Sequence, residues 1–105
     1  MPNDEDVAAA KALAARVDAL TAPLIGSSDG EGVAIAIDYR TKAAETVAVI
    51  AGLASHASQG TAGAREYYEE ASPGLLERLA GAVRTLEANV PALLAAAEVE
   101  PPKSS

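Results

Sequence analysis

The chain has 105 residues, a formal net charge of −7 and no cysteine, which sizes it for one domain and excludes disulfides and thiolate metal sites. Its eight basic residues are scattered among fifteen acidic ones, which argues against nucleic-acid binding and against an anionic membrane surface. Roughly a quarter of the chain is Ala and there is no Trp or Phe, so the expected core is thin and built from helices that approach closely.

The opening, MPNDEDV, is acidic with no apolar run behind it, unlike a secretory leader. The longest nearly uncharged run, Thr46 to Ser55, is about half of the ~20 residues that a membrane span needs. The expected setting is therefore soluble and cytoplasmic. Asp4 and Asp6 are candidate caps for a first helix, where acidic residues suit the positive end of the helix dipole. Ala10, Val17 and Leu24 form one heptad row and Leu13 and Leu20 a second. Pro23 disfavours helical dihedrals in the residue before it, so the helix is predicted over about 4 to 21.

The stretch from Gly26 to Gly32 is a loop by composition. It does not follow the spacing of a phosphate-binding loop, and Asp29 and Glu31 repel a phosphate; it also lacks the alternating ligands of a calcium loop. The next segment, predicted as a helix over about 30 to 58, is apolar on nearly every side between Ala43 and Ala57. Its rows are Ala36, Ala43, Ile50, Ala57 and Tyr39, Thr46, Leu53. Val33 to Ile37 alternates like a strand, but nothing in the chain offers a partner strand. Gly52 weakens a helix by about 1 kcal/mol relative to Ala, which points to another helix crossing closely there. Gly60 supplies the left-handed stop.

A short helix is expected over 62 to 71. Ser72 as cap and Pro73 as first residue then open a third long helix, 73 to 98. Leu76, Val83, Val90, Ala97 and Leu79, Leu86, Leu93 are its rows, widened by Leu75, Ala80, Ala82 and Leu94, with Glu77, Arg78, Arg84 and Glu87 on the remaining face. Pro91 removes one hydrogen bond and crowds the Glu87 carbonyl, and the stripe continuing in phase beyond it favours a kink over a break. The fold expected is an all-α antiparallel bundle of three long helices and one short connecting helix, a single domain over 1 to 98 with a flexible tail over 99 to 105.

Chemistry-bearing residues are few. His56 is the only histidine, and with Gly52 and Gly60 four residues either side it has no acidic partner on its own helix. Glu66 and Glu70 share a helix face as carboxylate ligands can, but no Glu has a His three residues on, as helical di-iron sites require. Tyr67 and Tyr68 diverge by about 100° around a helix, which sends one ring inward and the other outward. Size, acidity and helical pattern resemble the small substrates of type VII secretion systems. The chain departs from that family in having no Trp-x-Gly turn, and Tyr67 and Tyr68 are followed four residues on by Ala71 and Ser72 rather than an acid. The segment from Arg16 to Leu20 is similar to the first helix of helical chorismate mutases, which continues much further than Pro23 and Gly26 allow. No site residue is carried over from either resemblance.

The expected function is non-enzymatic, through protein contacts as an assembly, adaptor or structural component, with no cofactor and no metal. Candidate contact residues are Val47, Val49, Leu94, Tyr67, Tyr68, Glu66 and Glu70, and the expected partner is a second copy, as a homodimer, or a larger complex. The alternatives are an acidic mimic docking on a basic site of another protein, and a small enzyme or ligand carrier with a pocket near His56.

Overall fold

The computed structural model describes residues 2 to 27 and 30 to 99, with side chains placed over 5 to 27 and 30 to 95. Asp29 and the expected tail beyond Val99 lie outside the described residues, as does the side chain of Ala97. The described chain is all helical, with three helices: α1 (Pro2–Ile25), α2 (Gly30–Ser58) and α3 (Ala64–Val99). They run up, down and up. Asp6 near the start of α1 meets Tyr68 near the start of α3, and Thr21 near the end of α1 meets Arg40 in the first half of α2. The result is a rod of 62 × 18 × 17 Å.

Heptad spacing carries the packing. Ala10, Val17 and Leu24 of α1 are fully buried, as are Ala36 and Ile50 of α2, with Ala43 and Ala54 nearly so. Leu79, Val83, Leu86 and Val90 complete the core from α3. Leu13, Leu20, Tyr39, Leu53, Leu76 and Leu93, further members of the apolar rows, pack against this core while half-buried. Four of the twelve core residues are Ala, so the helices gain contact by closeness rather than by side-chain bulk.

The observed α2 matches the expected bounds, and its end is built as expected. Thr61 N–H donates to the His56 carbonyl at 3.1 Å and Gly60 N–H to the Ala57 carbonyl at 3.2 Å, while Gly60 takes φ 79°. This pair of bonds, with glycine in the left-handed region, is the Schellman arrangement.

Three expectations based on Pro and Gly are corrected. α1 does not stop at Thr21; Pro23 lies inside its last turns and the helix runs to Ile25. Thr21 and Leu24 are both fully buried there, and their burial offsets the one backbone hydrogen bond that proline lacks. No separate short helix exists over 62 to 71. Its residues from Ala64 onward belong to α3, which passes through Pro73 without a break. Tyr68, Ser72, Leu79, Val83, Leu86 and Val90 keep one buried stripe across that point, with Ser72 buried in the seam rather than capping a new helix. Pro73 itself is exposed, so water reaches the carbonyl it leaves unbonded. At Pro91 the helix is likewise continuous, and buried Val90 and core-packed Leu93 and Leu94 keep the stripe in phase. The third correction concerns Gly52. It is exposed, and a Cβ built there meets nothing within 4 Å, so no helix crosses at that point.

A polar pin joins α1 to α2 inside this apolar frame. Thr21 Oγ1 donates to the Val17 carbonyl at 2.7 Å and accepts from Arg40 Nε at 2.8 Å. Arg40 Nη2 donates to the Asp18 carbonyl at 2.8 Å, and Arg40 Nε lies 3.7 Å from Asp18 Oδ1. The buried hydroxyl is thus satisfied as donor and as acceptor.

Two substitutions check this account. Gly52→Ala should stabilise the chain by about 0.5–1 kcal/mol in urea unfolding, because helix propensity rises and no contact opposes it. Thr21→Val should destabilise it by about 1 kcal/mol or more, since Arg40 Nε loses its acceptor at a fully buried position.

Candidate functional site

The polar groups that the sequence offered for chemistry do not converge. His56 is exposed on the last turn of α2, and Glu66 and Glu70 are exposed near the start of α3. Arg65 pairs with Glu69 at 3.6 Å on the same surface. Among the described residues, no three His, Asp or Glu side chains come together as a cluster that holds a metal ion. The two tyrosines divide as their angular separation requires. Tyr67 is 58% exposed, whereas Tyr68 is buried and its hydroxyl donates to Asp6 Oδ2 at 2.5 Å. Tyr68 therefore ties the start of α3 to the start of α1, and only Tyr67 is open to a partner.

The aliphatic candidates divide as well. Val47 and Leu94 pack against the core, while Val49 stands 49% exposed. They are not one face.

Two concavities lie between helices instead. One sits between the first half of α1 and the second half of α2, with a volume of about 440 Å³. Ala8, Ala51 and Ala54 leave it room, and Lys11, Ser55 and Ser58 supply its polar rim.

The second runs along the seam of α2 and α3. One part, of about 380 Å³, is lined by Ile35, Tyr39, Leu86, Asn89, Ala92 and Leu93. A narrower part of about 100 Å³ continues past Tyr39, with Ala43, Leu79 and Ala82 as floor and Lys42, Thr46 and Arg78 at the sides. Tyr39 stands between the two, which follow one another along the same seam as a groove that this side chain divides. It follows α2 from residue 35 to residue 46, about 16 Å at 1.5 Å per residue, or three helical turns. Small residues help to open it: Ala43 of α2 and Ala82 of α3 both line the narrower part. Among the described residues, no Asp or Glu lines either part.

The sequence pattern placed Arg78 on the face left by the apolar rows, where it is indeed exposed, and did not single out Lys42. A signal was available. Each stands one residue before a core position, Ala43 and Leu79, which puts both on the flank of their helix that borders the same seam.

No described helix is long and apolar enough to cross a membrane. Compared with models of protein families, with curated proteins and with solved structures, the chain matches none.

The Tyr68–Asp6 bridge is directly testable. Tyr68→Phe should lower stability by about 1–2 kcal/mol, read as a shift of the urea midpoint, because it removes a hydrogen bond to a carboxylate while keeping the ring.

Proposed function

We propose that the chain is a non-enzymatic protein-contact module whose docking surface is the groove between α2 and α3. The observation that carries this reading is the groove itself: three turns long, with half-buried Ile35, Tyr39, Ala82 and Leu93 along it over buried Ala43, Leu79 and Leu86, and with no carboxylate among its described lining residues although the chain has a net charge of −7. Concave apolar surface between helices is where a partner helix gains buried area. The scatter of His56, Glu66 and Glu70 over exposed positions supports contact rather than catalysis. The acidic-mimic reading draws less support, because Asp18, Asp38, Glu69, Glu77 and Glu87 are each within 4 Å of a cation of the same chain.

Affinity purification from the native host, with matched variants, tests this reading. Ala82→Arg fills the groove, and Ala19→Arg alters an exposed position of α1 equally in size and charge. A stoichiometric protein partner should come down with the parent chain and with Ala19→Arg, and should be lost with Ala82→Arg at unchanged helical circular dichroism. Retention of the partner by Ala82→Arg would sink the groove as the docking surface.

A further inference from the structure

The charges around the groove say what kind of helix fits it. Seven cations are described, and five of them have a carboxylate of the same chain within 4 Å: Arg16, Arg40, Lys42, Arg65 and Arg84. Among the described residues the other two, Lys11 and Arg78, have no such carboxylate; Lys11 lies on the rim of the α1–α2 concavity and Arg78 on the α3 side of the groove. Lys42 stands opposite on the α2 side. Its carboxylate, Asp38, is 3.2 Å away on its own helix, and the two side chains are 72% and 60% exposed. An exposed pair of that kind is weak, so Lys42 exchanges partners at little cost. An apolar floor is thus bordered on both sides by positive charge, on a chain whose overall charge is negative.

We propose that this groove receives a helix of another protein that carries an apolar stripe bordered by carboxylates, the stripe lying along the half-buried Tyr39, Ala82 and Leu93 and the carboxylates meeting Lys42 and Arg78. The proposal rests on the docking reading above and specifies its occupant. A second copy of this chain fits less well. A two-fold contact repeats the same patch on both subunits. Centred on this groove, it brings Lys42 and Arg78 of one copy towards the same cations of the other, and it joins two chains of charge −7 each. An acidic helix instead supplies a carboxylate to Arg78, which has none within 4 Å among the described residues, and competes with Asp38 for Lys42, and both borders add to specificity and to the rate of encounter.

The test uses the full chain and two synthetic helical peptides of about fourteen residues. They share one Leu/Ala stripe and differ only in carrying Glu or Lys at the bordering positions, and binding is read by fluorescence polarisation at several salt concentrations. The Glu-bordered peptide should bind about tenfold or more tighter than the Lys-bordered one, with the difference shrinking as salt rises. Arg78→Glu and Lys42→Glu together should reverse the preference, and Ala82→Arg should abolish binding of both peptides. Equal binding of the two peptides, lost in Ala82→Arg, would overturn the acidic occupant while leaving the groove as a docking surface. Binding of neither peptide would overturn the proposal too. Concentration-dependent dimerisation in light scattering that Ala82→Arg removes would then assign the groove to a second copy.

Discussion

An alanine seam constrains everything else in this molecule. The central row of α2 offers Ala36, Ala43 and Ala54 with Ile50 as its one large member. Small side chains make contact only if the helix axes come close, and they bury little area when they do. They also look alike from one turn to the next, so an alanine seam does not by itself choose a register. The polar bridges make that choice. Tyr68 reaches Asp6 at one end of the rod, and Arg40 reaches Thr21 and Asp18 towards the other. Arg16 pairs with Glu87 between α1 and α3 on the exposed side, at 3.2 Å. Each of these bridges ends on α1, so the first helix sets where the other two lie along the axis. The exposed ion pair contributes little energy, whereas the satisfied hydroxyl of Thr21 lies where a slip would strand a buried polar group.

The fold was legible in the sequence wherever the signal was periodic. Ala10–Val17–Leu24, Ala36–Ala43–Ile50 and Leu79–Leu86 are visible at heptad spacing and are buried, and Gly60 marks the end of α2. Local signals misled where packing overrode them. Pro23 and Pro73 each remove one hydrogen bond, but the buried residues on both sides of them hold the helix in phase, and the exposed side of Pro73 leaves its unbonded carbonyl to water. The apolar character of α2 misled in the other direction. It reads as a helix covered all round, yet Ile37 and Val49 are about half exposed and Gly52 faces open space. Alanine lowers polarity without requiring burial, so a high apolar fraction overstated the cover this helix needs.

The groove was the least legible feature, for a related reason. It has no motif. It arises where Ala43 and Ala82 come to line one seam after the helices dock, and pairing across helices is not written in either segment alone. The residues chosen from sequence for exposure and bulk, Val47, Val49 and Leu94, follow apolarity along single helices and separate into core and surface positions once the bundle forms. Charge carried the more useful information, in the form of cations set beside a heptad row in a chain that is otherwise acidic.

The up-down-up order has a mechanical consequence. The first turn of α1 and the last turn of α3 lie at opposite ends of a rod 62 Å long. Tension applied between those ends loads the helix contacts in shear, so that the whole alanine seam must slip together rather than open turn by turn. The short, similar contacts that make register hard to specify thereby become a load-sharing row.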